Sequence, residues 1–124
     1  MITPTEPGWR EPMLATLTQR PFSGESWIFE RKLDGVRAIC SRTDGQVRLW
    51  SRNHRVLDLT YPEIAEALAE PGGPDFIVDG EIVAFDGNQT SFAKLQQRIH
   101  VTDPRRIKAQ VTSGYLEVKR RQAL

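Results

Sequence analysis

The residues with the clearest chemical potential lie at positions 30–37, which read Glu-Arg-Lys-Leu-Asp-Gly-Val-Arg. Lys32 stands directly before Asp34-Gly35, a pair typical of a tight turn in which glycine supplies a positive φ. Trp27–Leu33 has the composition of a strand, so Glu30 and Lys32 are expected on one face, roughly 6.5–7 Å apart. A lysine at such a strand end can act as an amine nucleophile. Taken alone, the pattern also fits a solvated charged hairpin.

Two later segments are the next candidates for chemistry. Ser51-Arg52-Asn53 follows a predicted strand, and Asp79-Gly80-Glu81 lies within another. Alternating carboxylates on a strand usually form a solvated face, so Asp79 and Asp86 are interpreted as turn or solvent residues.

Several other kinds of site are excluded by the residues present. One cysteine, Cys40, and two distant histidines, His54 and His100, cannot form a zinc cage. Gly72-Gly73 lies between prolines and not before a Gly-Lys-Ser/Thr helix start, so a P-loop is unsupported. The chain also lacks the nucleophile elbow of a serine hydrolase. We therefore predict no protein-built metal site.

Composition and charge limit the class of protein further. The 124 residues include 39% hydrophobic and 27% charged residues, typical of one globular domain or part of one. No apolar run is long enough for a transmembrane helix, the N-terminus has no secretion signal, and Cys40 is expected to be a buried thiol. These features favour the reducing cytoplasm.

The net charge of +1 hides a strong asymmetry along the chain. Residues 1–60, 61–93 and 94–124 carry net charges of +2, −7 and +6. The basic last segment would suit a polyanion such as DNA, although a solvated helix face explains it equally well.

The elements that must position these residues are an antiparallel sheet and short helices. Strands are predicted at Trp27–Leu33, Val36–Ser41, Gln46–Ser51 and Phe76–Phe85, with Asp-Gly turns between or after them. Residues before Arg20 are expected to form an extended lead-in that docks through Met13-Leu14-Ala15. Trp27 and Trp50 are expected in the core.

Two helices are predicted after the third strand signal, and a third near the end of the chain. Tyr61–Glu70 is amphipathic through Ile64, Ala67 and Leu68. Ser91 is placed to cap a helix that runs to about His100. Pro104 could begin a helix through Ile107, Val111 and Leu116, interrupted at Gly114. The fold class is therefore α+β, an antiparallel β-sheet with two or three short helices.

The three motifs in this order resemble the adenylation domain of ATP-dependent DNA ligases, and most closely the ligase domain of bacterial end-joining ligases. Residues 11–15 (Glu-Pro-Met-Leu-Ala) and 91–98 (Ser-Phe-Ala-Lys-Leu-Gln-Gln-Arg) also look like family sequence. The likeness covers about residues 11–100. It implies a partial nucleotidyltransferase fold of ATP-grasp-like type, in a single shortened domain without an OB-fold domain, followed by a basic tail at 101–124.

The resemblance also implies a reaction and its site residues. Lys32 would attack the α-phosphorus of ATP and hold AMP, which would then pass to the 5′-phosphate of nicked DNA for strand joining in repair. Glu30 would recognise adenine, while Arg37, Arg52 and Glu81 would contact the ribose or the phosphates, with ATP and Mg²⁺ as cofactors. The attacking amine must be neutral, which partial burial or nearby positive charge favours.

The chain departs from the family pattern because the family's later motifs are not found in it. Gly114 to Arg121 is only faintly similar to them, and Lys119 is not assigned a phosphate-binding role. Full ligation by this chain alone is therefore not expected. The alternatives are a catalytically incomplete remnant that binds nucleotide or DNA or needs a partner, and an RNA ligase or capping-type guanylyltransferase. The expected partners are ATP and nicked or broken double-stranded DNA, with a partner chain or self-association covering the incomplete fold, and no membrane.

Overall fold

The computed structural model describes residues 9–29, 31–112 and 118–119. The strands are β1 (Val36–Thr43), β2 (Gln46–Ser51), β3 (Phe76–Asp86), β4 (Gln89–Thr90) and β5 (Val118–Lys119). The helices are α1 (Pro62–Leu68), α2 (Phe92–Gln96) and α3 (Pro104–Thr112). All strand pairs are antiparallel, in the order β2-β1-β3-β4, and β5 pairs with β3. The predicted α+β class with an antiparallel sheet is confirmed.

The hairpin of β1 and β2 follows directly from its turn residues. Asp44 and Gly45 both have positive φ, 50° and 79°. Positive φ at both central positions defines the two-residue turn whose twist matches that of antiparallel strands, and Asp-Gly favours it. The predicted hairpin turn is confirmed here.

Local sequence also accounts for where the helices begin. Pro62 occupies the first turn of α1, and the Ser91 hydroxyl caps α2 by accepting a hydrogen bond of 3.2 Å from the Lys94 backbone N–H. The predicted cap is confirmed, but α2 ends at Gln96 and not near His100, which has a φ of 64°. α3 begins at the predicted Pro104, while Leu116 and Gly114 lie outside the described residues.

The core lies between one face of the sheet and the helices α1 and α2. Its buried residues are Ala38, Cys40, Leu49, Tyr61, Ile64, Leu68, Ile82, Ala84 and Leu95. Cys40 is buried as expected. Ala67, predicted to face inward, is exposed, and Ala65 packs against the core instead. The even-numbered residues of β1 and β3 therefore face the helices, which leaves the odd-numbered residues on the opposite face.

The predicted strand at Trp27–Leu33 is wrong, because residues 27–29 and 31–33 have no strand conformation. A strand needs a neighbouring strand to accept and donate its hydrogen bonds. β1, the next element along the chain, already has β2 on one edge and β3 on the other. Trp27 is consequently 57% exposed and not in the core, whereas Trp50 is buried as expected.

Among the residues that the structure describes, no helix has the length and apolar character needed to cross a membrane.

Candidate functional site

The strand register gathers polar side chains on the face of the sheet away from α1 and α2. Arg37 of β1 lies opposite Glu81 of β3, and Ile39 lies opposite Asp79. Since alternate residues of a strand share a face, Arg37, Asp79 and Glu81 all project from this side. Two segments that are distant in sequence therefore contribute to one surface.

A cleft of about 760 Å³ opens on this surface. It is lined by four of the predicted site residues, Lys32, Arg37, Arg52 and Glu81. Its other lining residues are Leu14, Ala15, Gly35, Val36, Ser51 and Asn53. The fifth predicted residue, Glu30, lies outside the described residues. All three sequence motifs thus reach the same cavity.

Lys32 lies on a segment without regular structure that leads into β1, and its side chain is exposed. Lys32 lines the cleft, and two arginines, Arg37 and Arg52, line the same space. The arrangement can therefore present an amine nucleophile among cations that attract an anionic substrate.

Gly35 serves a different purpose from the one predicted. Its φ is not in the positive range, so the expected turn conformation is wrong. A Cβ at this position would collide with the Ile82 carbonyl oxygen and lie 2.8 Å from Val83 Cγ1. Glycine is needed here because the backbone passes directly against β3.

Glu81 contacts the same segment of the chain, at the Gly35 backbone. Burial raises the pKa of the Glu81 carboxyl group, while a hydrogen bond from the Gly35 backbone and the charge of Arg37 oppose this shift. The carboxylate is thus fixed against the segment that carries Lys32. It presents an acceptor for hydroxyl groups or a metal ion inside the cleft.

Arg37 forms a bidentate ion pair with Asp79. The Nε–Oδ1 distance is 3.0 Å and the Nη2–Oδ2 distance is 2.6 Å, while Nη1 donates to the Met13 carbonyl at 2.5 Å. The hydrogen bond to Asp79 raises the pKa of Arg37. The interpretation of Asp79 as a turn or solvent residue is wrong. Its position two residues before Glu81, and hence on the same face of β3, was the sequence signal for this role.

Arg52 is carried by a turn that Ser51 organises. The Ser51 hydroxyl accepts hydrogen bonds from the backbone N–H groups of Asn53 and Arg55, at 3.3 and 3.1 Å. Serine stabilises turns in this way because its side chain replaces a backbone acceptor. Arg52 is an exposed residue of this turn, and the turn places it at the rim of the cleft.

Residues 9–16, here called the N-terminal strap, form another wall of the cleft. The strap is anchored by buried Pro12 and by Trp9, whose ring stacks on His54 with centroids 4.4 Å apart. Met13 and Leu14 are 87% and 61% exposed, so the predicted docking through residues 13–15 does not bury their side chains. Instead the Met13 carbonyl contacts Arg37, and Leu14 and Ala15 line the cavity.

No group of three or more His, Cys, Asp or Glu side chains suited to a metal ion occurs within the described part of the chain. Glu81 is the carboxylate that lines the cleft. A Mg²⁺ ion commonly binds through one or two carboxylates together with substrate phosphates. The residues present therefore fit a metal that arrives with a nucleotide.

Comparison with known proteins gives a family match over most of the chain. Residues 12–119 match the family described as ATP dependent DNA ligase domain. DNA ligase C of Mycobacterium tuberculosis is 39% identical over 77 residues, which cover 62% of this chain and 22% of that protein. LigB of Bacillus subtilis, an SPbeta prophage-derived DNA ligase-like protein, is 36% identical over 88 residues, covering 70% of this chain and 32% of LigB.

A third relative is the multifunctional non-homologous end joining protein LigD of Pseudomonas aeruginosa. It is 41% identical over 80 residues, which cover 64% of this chain and 9% of LigD. The chain thus spans between 9% and 32% of the length of these three relatives.

Two solved structures are similar in fold. The crystal structure of the ligase domain of Mycobacterium tuberculosis LigD has a TM-score of 0.53 and 30% identity, over 77% of this chain and 28% of that chain. Mycobacterial DNA ligase D complexed with ATP and MES has a TM-score of 0.51 over 72% of this chain and 39% of that chain. At 22% identity, the second comparison concerns the fold alone.

Proposed function

The chain belongs to the ATP-dependent DNA ligase domain family, as its motifs indicated, and on this basis we propose that it binds ATP and forms a lysyl-adenylate at Lys32. The observation that carries the proposal is that Lys32, Arg52 and Glu81, from three separate segments, line one cleft of about 760 Å³. Cavities of roughly 300–1,000 Å³ suit small-molecule ligands of nucleotide size.

The proposed reaction is a nucleotidyl transfer. The neutral Nζ of Lys32 attacks the α-phosphorus, a P–N bond forms, the bond from phosphorus to the β-phosphate oxygen breaks, and pyrophosphate leaves. The proton released from Nζ passes to solvent or to the pyrophosphate. Mg²⁺ would neutralise negative charge on the leaving group when bound. Covalent catalysis of this kind divides strand joining into separate steps.

The cleft residues have roles that follow from their chemistry. Arg52 at the rim offers a planar, permanently charged group for phosphate oxygens. Glu81 accepts hydrogen bonds from ribose hydroxyls or serves the metal ion. Arg37 contributes the N–H groups that Asp79 and Met13 leave available. Glu30 is proposed to recognise the adenine edge, as the family resemblance implies.

We propose the DNA step for a longer ligase of the kind to which the relatives belong. AMP would pass from Lys32 to the 5′-phosphate of nicked or broken double-stranded DNA, and the 3′-hydroxyl would displace it. We place this activity in cytoplasmic DNA repair and recombination by end joining, since one relative is named for that process. A partner chain, or further parts of a ligase, would supply the groups that grip the transferred phosphate.

The experiment that tests the proposal is covalent labelling with α-labelled ATP and Mg²⁺. We expect acid-labile, alkali-stable label on the wild-type chain, because the P–N bond of a lysine phosphoramidate is cleaved once its nitrogen is protonated but survives denaturation of the protein at neutral or alkaline pH. Lys32→Ala should carry none, whereas Lys108→Ala, which changes an exposed lysine of α3, should label like wild type.

Three outcomes would contradict the proposal. Absence of label under all conditions would leave a non-covalent nucleotide-binding or DNA-binding protein. Equal label on Lys32→Ala would place the acceptor elsewhere. Label from GTP in preference to ATP would indicate a capping-type guanylyltransferase.

A further inference from the structure

We propose that Asp79 is a positioning residue for the adenylation site, because it holds Arg37 against the Met13 carbonyl and thereby fixes the N-terminal strap as one wall of the cleft. This inference rests on the proposed function for its nucleotide step. It assigns a role to a carboxylate that stands outside the three-residue set of Lys32, Arg52 and Glu81.

The geometry of the guanidinium group supports this assignment. Arginine has five N–H donors in a rigid plane. Asp79 accepts from Nε and Nη2, and Met13 accepts from Nη1. One N–H on each Nη atom remains for a ligand, and Arg37 lines the cleft. A single side chain can therefore hold the strap and face a nucleotide simultaneously, provided that its plane is fixed.

Asp79 is well placed to fix that plane. Arg37 and Asp79 lie at diagonal positions on neighbouring antiparallel strands, and a bidentate pair defines both distance and orientation. Glu81, directly opposite Arg37, contributes attractive charge to it, and the Glu81 carboxylate accepts a hydrogen bond from the Gly35 backbone. Asp79 thus holds the Arg37 side chain, while Glu81 holds the backbone segment that carries Lys32.

Because the Arg37–Asp79 pair is partly exposed, its main effect is to orient Arg37 and not to stabilise the fold. The side chains of Arg37 and Asp79 are 28% and 40% exposed. Ion pairs with this much access to water contribute little to the free energy of unfolding. The pair would nevertheless determine where the Nη groups point, which matters to a bound nucleotide.

The part of the strap that lines the cleft depends on this contact, because the other anchors of the strap, Trp9 and Pro12, lie before Met13 in the chain. Residues 10–16 have no regular secondary structure, and all of them except Pro12 are exposed. Leu14 and Ala15, the strap residues that line the cleft, follow Met13 directly. If Arg37 turned away, the carbonyl of Met13 would lose its donor and the wall formed by these two residues would loosen.

The test uses Asp79→Asn, which keeps the shape of the side chain but removes its charge. In single-turnover labelling of Lys32, we expect the ATP concentration for half-maximal rate to rise roughly tenfold, while the rate at saturating ATP changes less than about threefold. This pattern marks the loss of binding that ground state and transition state share. Asp86→Asn, which removes one charge from the exposed end of the same strand, should behave like wild type.

A double-mutant cycle then asks whether Asp79 acts through Arg37. In an Arg37→Ala background, Asp79→Asn should produce no further change in the half-saturating ATP concentration, because the residue it positions is gone. A full additional effect in that background, or a wild-type half-saturating concentration in Asp79→Asn alone, would overturn the proposal.

A nucleotide-free measurement separates this proposal from the proposed function. Tryptic cleavage after Arg10 in the strap should become at least about threefold faster in Asp79→Asn than in Asp86→Asn, since cleavage follows local opening. If the wild-type chain takes no label but this difference is found, the proposed function fails while the positioning role stands. Equal cleavage of the two variants would overturn the strap role even in a protein that labels normally.

Discussion

At the scale of single residues, the cleft depends on contacts that cross from β1 to β3. Gly35 brings the backbone before β1 against the Ile82 carbonyl, and the same backbone donates to Glu81. Arg37 reaches Asp79 two positions before Glu81. Gly35 and Arg37 thus hold Asp79 and Glu81 of β3 in place, Gly35 through its backbone and Arg37 through its side chain.

We predict that Gly35→Ala destabilises the fold, because the added Cβ would meet the backbone of β3. The strands would have to separate locally, and we expect a loss of about 2–4 kcal/mol in the free energy of unfolding, measured by urea denaturation. Gly24→Ala is the matched control, since its Cβ would lie 3.4 Å from Trp27 Cδ1. An unchanged urea midpoint for Gly35→Ala would show that the close approach is easily relieved.

A second residue-scale prediction concerns the pH dependence of stability. Burial raises the pKa of Glu81 above its ordinary value of 4.5, so the folded state binds its proton more tightly than the unfolded state. The contribution of Glu81 to stability is therefore fully present below 4.5 and is lost as pH rises through the folded pKa.

Replacing Glu81 by glutamine removes this titration. The free energy of unfolding of Glu81→Gln, relative to wild type, should increase as pH rises from about 4 and then level off. Urea denaturation at a series of pH values measures the difference. A difference that stays constant or decreases over this range would contradict the raised pKa.

At the scale of elements, the three helices are joined by one fully buried arginine. Arg98, after α2, is 0% exposed, and its Nη1 contacts Glu63 of α1 at 2.9 Å. Its Nε donates to Gln110 of α3 at 2.6 Å, and Nη1 also donates to the Thr60 carbonyl at 3.0 Å. The charge of Arg98 is thus compensated by α1, which makes the packing of α1 on α2 depend on Glu63.

We predict that Glu63→Gln destabilises the protein by about 3 kcal/mol, because it leaves the Arg98 guanidinium buried without a counter-charge. Glu66→Gln, which alters an exposed residue of the same helix, should change stability by no more than about 0.5 kcal/mol. Thermal unfolding and urea denaturation of both variants provide the comparison. Equal stabilities would mean that neutral acceptors suffice for Arg98.

At the scale of the whole molecule, exposed positive charge is concentrated on α3. α3 exposes Arg105, Arg106 and Lys108, whereas β3 and α1 carry several acidic residues and no basic ones. Lysine and arginine contacts to phosphate dominate nonspecific DNA affinity and weaken as salt displaces them. A DNA-binding role of α3 would therefore show in the dependence of affinity on salt.

We predict that affinity for nicked duplex DNA falls roughly 40-fold between about 50 and 200 mM salt if these three side chains each contact a phosphate. Fluorescence anisotropy with a labelled duplex measures this slope. Replacing all three by glutamine should flatten it, while Arg20→Gln serves as a control for the loss of an exposed cation elsewhere. Binding that is indifferent to salt would leave α3 as a solvated surface.

Some parts of the molecule were determined by the sequence alone because they depend on only a few adjacent residues. Asp44-Gly45 specifies its turn through positive φ, Pro62 starts α1, and Ser91 caps α2 through a hydrogen bond to Lys94. The three motifs identified the family for a similar reason, since residue type and order can be compared without coordinates. Lys32, Arg52 and Glu81 were accordingly predicted as one site.

Other parts were decided only by the tertiary structure. The apolar segment at 27–33 matches a strand in composition, but a strand needs a partner edge, and no short-range pattern reveals whether one is available. Asp79 pairs with Arg37 across 42 residues of sequence, a contact that exists only because of the register between β1 and β3. The sequence by itself therefore determined which residues are the candidates for the chemistry. The pairing of β1 with β3 decided which residues hold these candidates in position. A contact such as Asp79 with Arg37 forms only where the two strands meet in the folded chain.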